Sequence, residues 1–224
     1  MTPKHHMDDT TLLSHSAGSL PPALAVVCAT HLACCSQCRD RLLQIDQIGG
    51  VLMEQQLGSA LPAGARAAML ARLDASADCD ESSPKPPAFE PDHFEQDPDR
   101  LPAPLHPWFG SSMRRLRWRW VAPGLHRIRA HGIDGGDLML LRVAPGSRLP
   151  LHSHQCNELT VVLDGAYSDM LGHFGPGDAA DLDEDTLHQP VAATGVPCIC
   201  VAATDAPLRF PGWIARTLQP LFGF

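Results

Sequence analysis

The sequence has little that would suit a membrane or a nucleic acid. No run of about 18 apolar residues exists, which is the length that a helix needs to cross a bilayer. The formal net charge of the 224 residues is −8, and this sign disfavours binding to nucleic acid or to an anionic lipid surface. The first nine residues lack the apolar segment of a secretory signal, so we expect a cytoplasmic protein without membrane contact.

The interpretation of the eight cysteines depends on this expected location. Disulfides are rare in a reducing cytoplasm, where cysteines that lie near histidines indicate metal ligands or redox groups. An apolar content of 44% and a charged content of 19% are typical of a globular protein.

Residues 1–75 show helical periodicity with few β-branched residues, and we assign them to a small helical domain. Asp8 or Asp9 can cap the first helix, Pro22 suits the first turn of the second, and Gly49-Gly50 can kink or end the third. The predicted helices are Asp9 to Ala17, Pro22 to about His31, about Cys35 to Gln56, and Ala63 to Asp74.

Residues 76–107 are rich in proline and acidic side chains, and the pattern predicts a semi-extended linker. Phe89, Phe94 and Trp108 are available to anchor it along a domain. Residues 108–224 contain short alternating segments separated by glycine and proline turns, which predicts a β-sandwich or barrel of the jelly-roll kind. Near its start, Arg117-Trp118-Arg119-Trp120 alternates, so we expect arginines on an outward face and both tryptophans inward.

A group of potential metal ligands stands at strand spacing in this second domain. His152 and His154 are two residues apart, and Glu158 has the same parity, so one strand would present all three on one face. The segment Pro176-Gly177-Asp178, followed by His188, can bring a fourth ligand from a neighbouring strand. Three imidazoles and a carboxylate suit zinc or another divalent transition metal such as manganese, iron or nickel.

The order G-x5-H-x-H-x3-E-x6-G from Gly146 to Gly165, followed by P-G-D and a later histidine, resembles the motifs of the cupin superfamily. The predicted fold class is therefore α+β with two domains, a small zinc-binding helical bundle followed by an all-β cupin, or jelly-roll barrel, domain.

A second group of ligands lies in the helical domain, where His31, Cys35 and Cys38 form H-x3-C-x2-C. Thiolates with imidazole favour zinc, and a closed tetrahedral site needs a fourth ligand. His5 or His6 can supply it if the N-terminal segment folds back over the second and third helices. On one continuous helix Cys34 would share the same broad face and could replace Cys35, although C-x2-C is the commoner chelate.

An early His-His, this H-x3-C-x2-C and a C-terminal cupin together resemble the ChrR-type zinc-binding anti-sigma factors. The resemblance implies zinc at one site and a second metal at the other. It also implies that the helical domain binds an extracytoplasmic-function sigma factor, and that the cupin domain is needed for release under oxidative signals such as singlet oxygen. The implied ligands are His6, His31, Cys35 and Cys38 at the first site, and His152, His154, Glu158 and His188 at the second.

Two alternative functions and two open questions follow from the same residues. The chain could be a cupin metalloenzyme, a dioxygenase or an isomerase, with a helical zinc accessory domain. DNA binding is the weakest alternative, because the first 75 residues carry few basic side chains. The apolar stripe Ala67, Leu70, Ala71 and Leu73 can either anchor a sigma factor or cover the domain's own core. Cys156, between His154 and Glu158, is a candidate redox thiol.

Overall fold

The structure is a computed structural model that describes residues 2–76, 99–153 and 156–205. The four predicted N-terminal helices are confirmed, and Gly49-Gly50 lies inside the third without ending it. Proline starts the second helix at its first position, where the missing N–H is not needed. The helices are α1 Asp9–Ser16, α2 Pro22–Cys34, α3 Ser36–Glu54, α4 Ala65–Ser76 and, after the second described range begins, α5 His106–Phe109.

The chain divides into two compact units. One comprises Met1–Asp46 with Asp92–Phe224, and the other is Gln47–Pro91. The domain boundaries inferred from composition remain a prediction.

Two antiparallel sheets make up the second half of the described residues. The larger has six strands in the order β1-β2-β3-β9-β4-β7, and the smaller has the order β6-β5-β8. The predicted all-β cupin domain is confirmed in these strands. Their bounds are β1 Arg119–Ala122, β2 Leu125–Arg129, β3 Asp137–Val143, β4 Glu158–Asp164, β5 Tyr167–Asp169, β6 Gly172–Phe174, β7 Ala179–Leu182, β8 Val191–Ala192 and β9 Cys198–Thr204.

Strand β4 is buried on both of its faces, because each face contributes to a different apolar cluster. Val162 packs in a cluster with side chains of both sheets, among them Tyr167 and Phe174 of the smaller sheet. Leu159 and Val161, of opposite parity to Val162, pack in a second cluster that includes residues of α2. The side chains of α2 in this cluster are Ala23, Leu24, Val27, Cys28 and Leu32.

Helix α2 therefore packs against β4 and β9 and covers the outer face of the larger sheet. In the described residues, the apolar core of α1 and α2 is continuous with the apolar side chains of the sheet.

The end of the predicted linker is folded where the structure describes it. Leu101 and Leu105 are fully buried beside α2, and a short 3-10 helix spans Ala103–Leu105. Trp108 packs against the same cluster, whereas Phe89 and Phe94 lie outside the described residues.

The expectation that both tryptophans of the Arg-Trp repeat point inward is wrong for one of them. Trp118 packs against the larger cluster, but Trp120 is 66% exposed on β1. The repeat does not form one strand, because β1 begins only at Arg119 and lies at the edge of the sheet. Within the described ranges, no helix combines the length and apolar character that a membrane crossing requires.

Candidate metal centres

Four predicted ligands of the N-terminal site lie together. One ligand atom from each of His6, His31, Cys35 and Cys38 lies within 4.8 Å of the other three. Cys35 Sγ is 3.2 Å from His6 Nδ1, and Cys38 Sγ is 3.2 Å from His31 Nε2. A tetrahedral ion with Zn–S bonds of about 2.3 Å separates its ligand atoms by about 3.8 Å, so this donor set fits zinc.

A break between two helices positions three of these side chains. His31 lies in the last turn of α2, Cys35 adopts an extended conformation with φ −105° and ψ 104°, and Cys38 lies in the first turn of α3. The backbone N–H of Cys38 also points to Cys35 Sγ at 3.4 Å. The C-x2-C pair thus forms a chelate loop at a helix start, as its spacing indicates.

The same break moves Cys34 out of the cluster. Its Sγ lies 3.2 Å from the carbonyl oxygen of His31, and burial raises its pKa to about 12. The two candidate histidines also separate, because His5 stacks on Phe174 with ring centroids 4.2 Å apart while His6 joins the cluster.

The N-terminal segment reaches the cluster by folding back over the helices. Met7 is buried in the larger apolar cluster, and Arg41 of α3 donates a hydrogen bond to the Met7 carbonyl at 2.9 Å. Arg41 also forms an ion pair with Asp9. These contacts fix the segment that carries His6.

Burial gives the cluster its electrostatic character. His31 is fully buried, and this desolvation is the main reason that its pKa falls to about 4, so the imidazole is neutral and able to ligate. Its Nδ1 lies 2.9 Å from the Gly177 carbonyl, which leaves Nε2 to face Cys38. Burial raises the pKa of Cys38 to about 11, and a bound divalent cation would displace its proton.

The second predicted site lies in the cupin domain, and three of its four residues fall in the described residues. His152 and His188 form an isolated antiparallel bridge, with backbone N–O distances of 3.1 and 3.0 Å, and their Nε2 atoms are 3.1 Å apart. Glu158 begins β4, is largely buried and has the same parity as Val162 in the cluster between the sheets. His154 lies outside the described residues.

Both described histidines have partners that orient their rings. His152 Nδ1 is 2.8 Å from the Pro150 carbonyl, and His188 Nδ1 is 3.0 Å from Asp169 Oδ2. Because each Nδ1 has its own partner, the two Nε2 atoms, which face each other, are the ones that would ligate a shared cation. Asp169, whose side chain is almost fully buried, was missed by the sequence analysis, because no motif connects it with a histidine 19 residues later.

Comparisons with known proteins agree with this architecture. The family described as ChrR Cupin-like domain matches residues 109–206. The anti-sigma-E factor ChrR of Cereibacter sphaeroides is 39% identical over 224 residues, which cover 99% of both chains. The crystal structure of Rhodobacter sphaeroides SigE in complex with the anti-sigma ChrR aligns with a TM-score of 0.73 and 34% identity, over 91% of this chain and 99% of that chain.

The fold and the cluster define a protein in which helices with a His2Cys2 group, able to hold a metal, precede a cupin-like domain. The chain belongs to the family of ChrR-type anti-sigma factors. This family is one of regulatory proteins and not of enzymes, which decides against the metalloenzyme alternative.

Proposed function

We propose that this chain binds and inhibits an extracytoplasmic-function sigma factor in the cytoplasm, and that zinc at His6, His31, Cys35 and Cys38 organises its helical domain for this purpose. The observation that carries the proposal is the 39% identity to an anti-sigma-E factor over nearly the full length of both chains. In the crystal structure that aligns with this chain, ChrR is in complex with SigE.

The binding surface that we propose lies on the end of α3 and on α4. The described side chains of α4 include none that is buried, and Leu70 and Leu73 are 48% and 56% exposed. Two apolar residues of the stripe predicted from the sequence are therefore largely exposed among the described residues. Anchors at this spacing suit a groove on a partner. Other exposed apolar residues of the surface are Ile48, Val51, Leu52, Met53, Leu57, Leu61 and Met69.

Co-expression with candidate sigma factors, followed by pull-down, tests this surface. Leu70→Asp places a charge in the proposed contact and should weaken binding about tenfold or more, since a central anchor contributes at least about 1.4 kcal/mol. The matched control is Leu171→Asp, because Leu171 is 45% exposed in the turn between β5 and β6. Equal binding by both variants would contradict the proposed surface.

We further propose that zinc, or manganese, iron or nickel, at His152, His154, Glu158 and His188 is required for release of the sigma factor under oxidative signals such as singlet oxygen. The oriented pair His152 and His188 supports a metal at this position. Cys156 is exposed close to these residues in sequence, and we propose it as the responding thiol. Cys156→Ser should reduce release when a photosensitiser generates singlet oxygen beside the complex. Unchanged release would remove this thiol from the mechanism.

A further inference from the structure

The turn between β6 and β7 of the cupin domain contacts both histidine-bearing segments of the N-terminal cluster. The Gly177 carbonyl accepts the hydrogen bond from His31 Nδ1 at 2.9 Å, and both groups are buried. Asp178 is 5% exposed, and its Oδ1 accepts hydrogen bonds from the backbone N–H groups of Lys4 at 2.5 Å and His5 at 3.1 Å. One turn of the cupin thus holds the residues just before His6 and the ring of His31.

Further contacts fix the same segment on the cupin domain. The N–H of Ala179 donates to the His5 carbonyl at 3.2 Å, and the His5 ring stacks on Phe174. His5 Nε2 is also 3.1 Å from the His173 carbonyl. His5, excluded from the cluster, therefore anchors its neighbour His6.

The tip of the turn packs closely against Pro3 and Cys34, which adjoin the ligand-bearing segments in sequence. Gly177 has φ +87°, and a Cβ there would lie 3.1 Å from Pro3 Cγ and 3.4 Å from Cys34 Sγ. The second carboxylate oxygen of Asp178 accepts the N–H of Gly175 at 2.8 Å, which stiffens the turn itself. The carboxylate is thus bonded both to its own turn and to the N-terminal segment.

We propose that Asp178 is a positioning residue for the N-terminal metal, so that the cupin domain sets how long this metal stays bound. The inference rests on the proposed metal at His6, His31, Cys35 and Cys38. A chelated ion leaves by losing its ligands one after another, and a ligand whose backbone is held in place returns before the next one dissociates. Hydrogen-bond partners that orient metal ligands typically change metal affinity about 10- to 100-fold, and we expect an effect of this order here.

Cobalt(II) in the full-length chain provides a readout specific to this site. Cysteine-to-cobalt charge-transfer absorption reports only the N-terminal cluster, because the proposed cupin ligands include no thiolate. The decay of this absorption after an excess of EDTA gives the release rate. We expect Asp178→Asn to release cobalt about tenfold faster than the unaltered chain. The control is Asp164→Asn, since Asp164 accepts a backbone N–H in the β4–β5 turn and is exposed. It should release at the original rate.

A second variant tests the same contact from the other side and does not alter the cupin turn. His5→Ala removes the stacking on Phe174 and should also accelerate release, whereas His131→Ala, at an exposed position, should not. If the two contacts hold one segment, their effects are not independent. The double variant Asp178→Asn/His5→Ala should then release cobalt less rapidly than the product of the two single rate increases predicts.

The outcomes separate this inference from the site on which it rests. Unchanged release rates in Asp178→Asn and His5→Ala, even with a lower melting temperature, would mean that the turn has only a structural role and would overturn the inference. Absence of charge-transfer absorption in the unaltered chain would instead refute the metal site itself. If Asp178→Asn does not fold, the rate of His5→Ala decides.

Discussion

Replacing Leu24 by alanine tests whether the N-terminal helices and the cupin sheet share one core. Leu24 is fully buried in α2, in the cluster that contains Leu159 and Val161 of β4. Removing a buried leucine side chain beyond Cβ costs about 3–5 kcal/mol, which is a large part of the roughly 5–15 kcal/mol that stabilises a typical domain. Leu13→Ala, at a position 55% exposed on α1, should cost below about 1 kcal/mol.

Urea unfolding of the metal-loaded chain, followed by two signals, distinguishes a shared core from separate ones. Circular dichroism reports mainly the helices, and fluorescence reports the four tryptophans, all of which follow residue 107. In Leu24→Ala both transitions should move to lower urea by the same amount, because the damaged cluster belongs to both parts. A shift of the helical signal alone would refute the shared core.

Two further predictions concern the cupin domain. Asp169→Asn should weaken metal binding at His152 and His188 about 10- to 100-fold, because the substitution removes the charge that orients the His188 ring. The cysteine-to-cobalt absorption of the N-terminal site should persist. Equal loss of both metals would contradict this assignment. Gly165→Ala should destabilise the chain by at least about 1 kcal/mol more than Gly146→Ala in urea unfolding. The two glycines have φ +68° and +69°, but only at Gly165 would a Cβ meet a backbone atom, the Pro197 oxygen at 2.3 Å. Equal losses would show that the backbone conformation alone matters.

Helices and ligands were predictable where the signal is local in sequence. The helical pattern of residues 1–75 and a proline at the first position were enough to predict α2, and H-x3-C-x2-C indicated three residues that lie together. The choice of Cys35 over Cys34 depends on a helix break that spacing alone does not determine.

Contacts between distant parts of the chain were not predictable in the same way. The bond from His31 to Gly177 joins residues 146 apart and uses a backbone carbonyl, which any residue type offers. A continuous apolar run such as that of β4 is typical of a strand buried on both faces, but it does not identify α2 as the covering element. The prediction for Trp120 was wrong for a different reason. An alternating pattern does not determine which face of a strand points inward when the strand lies at a sheet edge.

The most direct test of the proposed function is the affinity of the full-length chain for its sigma factor when only the N-terminal site is disabled. Cys38→Ser removes one thiolate of the cluster and leaves the cupin ligands unchanged. We predict that the unaltered chain forms a one-to-one complex and that Cys38→Ser, or treatment with a chelator, abolishes it. A complex that persists with full affinity while metal analysis finds this site empty would contradict the account.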